Sequence, residues 1–179
     1  MLTHEQIEVA RAFAASQLQK AGIAISPSER QAIEVSDFGL GDLETTGLQL
    51  VIYVNTERVC AKEIVLGPGQ TCPEHRHVNV GDEPGKEETF RVRAGTVYLN
   101  VDGDPTPQPR AIAPNSDYYT ARHEVVLSSG QQYTVMPGVR HWFQAGPDGA
   151  IVSEFSTRST DEHDVFTDPR IERVTVVLD

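Results

Sequence analysis

Two histidines stand one residue apart in Gly69-Gln-Thr-Cys-Pro-Glu-His75-Arg-His77. On an extended strand the side chains alternate faces, so His75 and His77 point the same way with Cβ atoms roughly 7 Å apart. Two imidazoles on one face can share a metal ion. Alone, such a pair is weak, because His pairs on exposed strands are ordinary. Further donors follow. Glu88 is separated from Gly95 by six residues, and Gly130 leads after five residues to Met136-Pro137-Gly138 and then His141. Three imidazoles and a carboxylate on separate strands suit Mn, Fe(II), Co, Ni or Zn, with coordination positions left for water or substrate.

The elements that must carry these residues are mostly strands. The chain has 179 residues, the length of one domain or of one domain with a small appendage. The first 35 residues read as helical. Thr3 to Gln6 fits a capping box, Ile7, Ala10, Ala14 and Leu18 keep helical spacing, and Gly22 is a natural stop. Ser26-Pro27 starts a shorter helix running to about Ile33. From about Gly47 short β-like runs take over, at Leu48–Asn55, Val59–Leu66, Thr71–Val78, Glu88–Arg93 and Thr96–Val101. More follow at His123–Leu127, Gln132–Val135, His141–Gln144, Ala150–Phe155 and Val174–Leu178. Turn residues such as Gly67-Pro68-Gly69 and Gly146-Pro147-Asp148-Gly149 separate them, which indicates a sandwich or barrel. Residues 105–119, rich in Pro and polar groups, read as a surface loop.

A formal charge of −11 argues against duplex DNA or an anionic membrane as partner. No apolar run is long enough to span a bilayer, and the N-terminus lacks the pattern of a signal peptide. With only Cys60 and Cys72, a disulfide framework is not expected, and reducing cytoplasm is the simplest compartment.

The glycine, histidine and glutamate spacing resembles the two motifs of the cupin superfamily. The chain departs from them in two places: ten residues separate His77 from Glu88, where three or four is usual, and Met136 stands where Pro is usual. Within the superfamily, CPEHRH, PGKEETFRVRAGTVYLNVDG, HWFQAG and VSEFSTRSTDEHDVFTDPRI resemble the D-lyxose isomerases, over roughly residues 60–173. The resemblance implies a mainly β fold, a cupin double-stranded β-helix (jelly-roll barrel) over residues 36–179, with residues 1–35 as a helical N-terminal appendage packed on it. It makes His75, His77, Glu88 and His141 the metal ligands, with Mn(II) the expected ion and Zn, Co, Ni or Fe possible as purified. It makes Lys86 and Glu154 the candidates for proton transfer, and it implies a small neutral sugar as substrate and a homodimer.

The chemistry so implied is aldose–ketose isomerisation, D-lyxose to D-xylulose, with D-mannose and D-fructose as a second pair. A hydrogen must move between C1 and C2, by acid–base catalysis through an enediolate or by hydride shift. A lysine beside a dication is expected to have a lowered pKa. Glu154, two residues beyond Val152, reads as a carboxylate inside an apolar barrel. Plainer readings compete. Lys86, among Glu83, Glu87 and Glu88, reads without the resemblance as a solvated loop lysine. Glu154 alone reads as a salt-bridged strand residue. Trp142 reads as core, and with Phe90 remains a weak pocket candidate. Cys72 falls on the face opposite His75 by strand parity, although Pro73 blurs that parity. Asp161-Glu-His-Asp164 reads as a solvated turn. His4, His123 and His163 stand outside the motifs. Two other functions fit a cupin: an Fe(II) dioxygenase, and a non-catalytic module that binds metal or sugar. A regulator of DNA is disfavoured by the acidic charge.

Overall fold

A computed structural model describes residues 1–178. The elements in chain order are β1 (Leu2–Thr3), α1 (His4–Lys20), α2 (Pro27–Gln31), β2 (Glu34–Ser36), β3 (Leu48–Asn55), β4 (Cys60–Leu66) and β5 (Thr71–Arg76). There follow β6 (Glu88–Val101), β7 (His123–Ser128), β8 (Gln132–Val135), β9 (His141–Ser156), β10 (Val165–Phe166) and β11 (Val177–Leu178).

Both helices start as expected. The Thr3 hydroxyl accepts from the Gln6 amide at 3.2 Å while the Gln6 side chain accepts from the Thr3 amide at 2.8 Å. Ser26 and Glu29 make the same reciprocal pair, and α2 stops at Gln31 rather than at Ile33. The buried stripe of α1, Ile7, Ala10, Ala14 and Leu18, lies on Val51, Val65 and Ile151 of β3, β4 and β9. Their neighbours Leu50, Ile64 and Val152 belong instead to the barrel core. Consecutive apolar residues such as Ile64-Val65-Leu66 are therefore needed, because these strands are covered on both faces.

The barrel is built on β6 and β9, which pair antiparallel from Glu88↔Ser156 to Val101↔His141. The other edge of β6 meets β8 along its first half and β7 along its second. The other edge of β9 meets β5 and then β4. This corrects the sequence expectation, which broke each of these long strands in two. The turn residues are bends inside continuous strands. The β6–β9 register shifts at Val92/Ala94 and again at Gly95/Val97. Gly95 sits at φ 75°, and a Cβ there would fall 2.1 Å from the Gly149 carbonyl oxygen. Only glycine allows the two strands to close at this corner.

Three short strands escaped the sequence reading: β1, which pairs parallel with β11; β2, which edges β3; and β10, which pairs with β5 through Val165↔Arg76 and Phe166↔His75. Two or three residues are too few to carry a periodic signal. β10 belongs to a strap, residues 157–173, that crosses the barrel mouth. The 105–119 loop is largely exposed but anchored, with Ala111 and Tyr119 buried against Trp142 and Ala121. No helix among the described residues is long and apolar enough to cross a membrane.

Gly95→Ala should destabilise the chain by about 2–3 kcal/mol, the strain of a left-handed non-glycine residue plus the clash with Gly149. Chemical denaturation checks this, and an unchanged midpoint would contradict the corner packing.

Candidate metal and proton-transfer site

His75, His77, Glu88 and His141 converge inside the barrel, all buried, and each offers one donor atom within 4.8 Å of the others. His75 lies on β5 directly opposite His141 on β9. His77 follows β5 after the exposed Arg76, so the alternation that the sequence suggests holds across the pair. The long spacer returns. Val80 and Glu83 bridge to each other, and Asn79 accepts from the Gly85 amide at 3.1 Å. Gly85 packs onto the His77 backbone, where a Cβ would lie 2.2 Å from the His77 carbonyl oxygen. That contact delivers Lys86 and Glu88 to the same cavity.

The imidazoles are oriented for ligation. His75 Nδ1 donates to the Pro73 carbonyl at 2.8 Å, and His141 Nδ1 to the Val139 carbonyl at 3.0 Å. A carbonyl only accepts, so each ring donates from Nδ1 and turns its Nε2 toward the cluster, the nitrogen a metal would take. His141 Nε2 is buried and makes no hydrogen bond, although Glu88 Oε1 lies 2.8 Å away. A buried ring nitrogen with no hydrogen bond, beside a carboxylate, is what a cation between them would satisfy. The residues thus fit a divalent ion. His77 Nδ1 meets Asp164 Oδ1 at 2.5 Å, the third orienting contact. Burial, with His141 and His77 nearby, pushes His75 well below its ordinary pKa and keeps it neutral. Burial disfavours a charged His77 too, but Glu88 and Asp164 outweigh it and raise His77 to about 9. Burial also opposes ionisation of Glu88, yet Lys86 and His77 hold its carboxyl well below the usual range.

Beside the cluster stands a network of buried charges. Lys86 Nζ lies 2.8 Å from Glu88 Oε2, 3.1 Å from Glu154 Oε1 and 3.0 Å from Asp161 Oδ1. The plain reading of Lys86 as a solvated lysine is overturned, for it is 4% exposed. Burial would lower the Lys86 pKa, but Glu154, Glu88 and Asp161 hold the ammonium well above its ordinary value; the lowering expected from the sequence concerned a lysine beside a bound dication. Glu154 faces inward as expected, but it is not a carboxylate among apolar groups, since Lys62 also approaches it at 3.6 Å.

Two further corrections concern faces. The strand β5 is irregular between Cys72 and His75, so the parity argument fails and Cys72 lines the same cavity as His75. The Asp161–Asp164 stretch is a single 3-10 turn on the strap rather than a solvated one. Its two aspartates, three apart, turn inward while Glu162 and His163 stay exposed. Lys62 and Arg173 were also missed. Lys62 shares inward parity with Ile64 and Leu66, and a lysine among inward apolar positions was the available signal. Trp142 is core, donating to the Ala121 carbonyl at 2.8 Å, whereas Phe90 lines the cavity.

A profile of the family described as D-lyxose isomerase matches residues 13–179. The chain belongs to the D-lyxose isomerase family. It is 61% identical over 164 residues to a D-lyxose/D-mannose isomerase of Thermosediminibacter oceani, covering 90% of this chain and 91% of that one. It is 57% identical over 170 residues to a D-lyxose ketol-isomerase of Cohnella laeviribosi, covering 94% and 93%. Among solved structures, an L-ribose isomerase of Cellulomonas parahominis superposes with a TM-score of 0.81 at 16% identity, covering 99% and 98% of the two chains. An L-ribose isomerase of Acinetobacter sp. DL28, solved with L-ribose, superposes with a TM-score of 0.78 at 16% identity, covering 95% and 94%. At such identity these structures share the fold, the cupin-like double-stranded β-helix expected from the motifs. The family is one of sugar isomerases.

Metal uptake should release a proton. Below about 9 His77 carries a proton that a metal ligand must lose, so apparent Mn(II) affinity should rise between pH 6 and 8 in titration calorimetry. A pH-independent affinity would contradict this. Asp164→Ala should weaken Mn(II) binding about 10–100-fold by freeing the His77 ring.

Proposed function

We propose that this chain interconverts D-lyxose and D-xylulose, with D-mannose and D-fructose as a secondary pair, by proton transfer between C1 and C2 of the open-chain sugar. One observation carries the reading: a buried cluster of four donors able to hold a metal stands beside a Lys86–Glu154 pair 3.1 Å apart, and His75 and Glu88 of that cluster line the same cavity as the pair. A divalent ion held by His75, His77, Glu88 and His141, taken here as Mn(II), would supply Lewis acidity toward the sugar oxygens. We assign proton abstraction from C2, and return to C1, to Glu154. Its Oε1 is engaged by Lys86 and Ser156, so Oε2 is the atom assigned to the proton. Lys86 Nζ, kept as an ammonium by three carboxylates, donates to the oxygen that becomes O1–H and recovers a proton from O2. The proton balance closes within the pair, so no co-reactant is needed.

The substrate class follows from charge. Lys62, Lys86 and Arg173 all line the cavity, and each is already matched by a carboxylate, so the lining offers no spare cation for a sugar phosphate. The names carried by the relatives from Thermosediminibacter and Cohnella support lyxose and mannose as substrates. The cavity is small, about 40 Å³. On this reading sugar binding opens the cavity further, with the strap 157–173 as the moving part, since it pairs with the sheet only through the two residues of β10 and is otherwise held largely by side chains. The same reading takes the enzyme as a cytoplasmic homodimer.

Metal-stripped protein given Mn(II) should turn over lyxose, and mannose more slowly, in a panel that includes ribose and xylose. His77→Ala should lose turnover by at least about 100-fold. Tight metal binding without turnover of any aldose would instead favour the dioxygenase or binding-module reading, and oxygen consumption would separate those two.

A further inference from the structure

Lys62 is a buried lysine to which the chemistry above gives no step. Its Nζ lies 2.6 Å from Asp161 Oδ2, 2.9 Å from Ser159 Oγ and 3.6 Å from Glu154 Oε1. The other Asp161 oxygen is 3.0 Å from Lys86 Nζ, which is itself 3.1 Å from Glu154 Oε1. The four groups close a ring in which ammonium and carboxylate alternate: Lys62, Glu154, Lys86, Asp161. Each lysine touches both carboxylates.

The members are not equally anchored. Lys62 and Glu154 are directly paired residues on β4 and β9, central strands of the sheet. Lys86 stands just before β6, and Asp161 rides on the strap. Ser159, also on the strap, adds a second hold, since its hydroxyl meets both Lys62 Nζ and Asp161 Oδ1, the latter at 2.6 Å. Lys62 is thus the strand-borne cation against which the strap carboxylate and a loop lysine take their places.

We propose that Lys62 is a positioning residue for isomerisation: it holds the Glu154 carboxylate directly and the Lys86 ammonium through Asp161. The inference rests on the isomerase reading above. Among the described residues, none of the ion pairs or hydrogen bonds of Lys62 goes to His75, His77, Glu88 or His141. Metal binding should therefore be separable from its role. A purely structural lysine would act otherwise. Its loss would lower stability or metal content and leave the turnover of folded, loaded protein unchanged.

The test compares wild type with Lys62→Met, Lys62→Arg and the double variant Lys62→Met/Asp161→Asn, all loaded with Mn(II). The readouts are kcat and KM for lyxose, bound Mn(II) per chain, and thermal midpoint. Lys62→Met should lose about 100-fold in kcat, the scale of a 1 Å misplacement of a reacting group. KM and metal content should stay within about threefold, and Lys62→Arg should restore part of kcat. A folded, metal-loaded Lys62→Met with kcat within about threefold of wild type would overturn the proposal. If Lys62→Met does not fold, the double variant decides, because it removes one charge of each sign and leaves the buried charge balanced. It should keep the kcat loss, and wild-type kcat in it would overturn the proposal. Wild-type protein that is metal-loaded yet inactive on every aldose would instead sink the isomerase reading, and this inference with it.

Discussion

Charge buried without water has to be matched by charge. That constraint organises this molecule more than any other. Inside the barrel mouth lie Lys62, Lys86, Glu88, Glu154 and the three clustered histidines, all buried, with Asp161, Asp164 and Arg173 closing over them. Each cation has a carboxylate at ion-pair distance. Removing one partner leaves its neighbour unmatched in a low-dielectric pocket, so each ion pair depends on both of its members. This is why a strap with little regular structure can still be held in place. Asp161 takes up Lys62, Lys86 and Arg173, while Asp164 takes up His77.

The scaffold makes that concentration of polar groups tolerable. Below the site the barrel is filled by Leu48, Leu50, Ile64, Val92, Leu99 and Val152, and α1 seals the outer face of β3 and β4. Long paired strands bear three of the four clustered donors, His75, Glu88 and His141, so their spacing is set by a rigid ladder rather than by loops. His77, just after β5, and Glu88, the first residue of β6, are joined by the returning loop that Gly85 locks to the His77 backbone. A second carboxylate latch works behind the metal cluster. Glu74, adjacent to His75, accepts from the Thr120 and Ala121 amides, both at 2.6 Å, and from the Thr167 hydroxyl at 2.6 Å. It ties the 105–122 loop and the strap to β5, on the strand face away from the histidines.

The two halves of the site bear differently on protons. The cluster presents neutral His75 and an ionised Glu88, and holds a proton at His77 while no cation is there. The network beside it keeps Lys86 as an ammonium. Lys86, at ion-pair distance from both Glu88 and Glu154, joins the two halves.

Much of this was open to reading from residues in order along the chain. Period-two spacing put His75 and His77 on one face, and the pairing of Gly with His and Glu marked the cupin motifs and the four donors that the fold brings within 4.8 Å of one another. Capping residues marked α1, because helix ends are local hydrogen-bond problems. What failed did so where a local rule met a distant partner. Gly95 and Gly146 to Gly149 look like chain breaks until β6 and β9 lie side by side and need corners. Cys72 changes face because the strand is irregular before His75. Lys62, Asp161 and Arg173 look like solvated charges, since nothing within a few residues of each would bury it. Their contacts span 92, 99 and 12 residues of sequence: Lys62 to Glu154, Lys62 to Asp161 and Arg173 to Asp161. Which donor residues stand at ligating spacing is a matter of residue type and short-range order, which the sequence by itself determines. Which charges share one buried pocket depends on closing long loops around the barrel, and that only the tertiary structure decides.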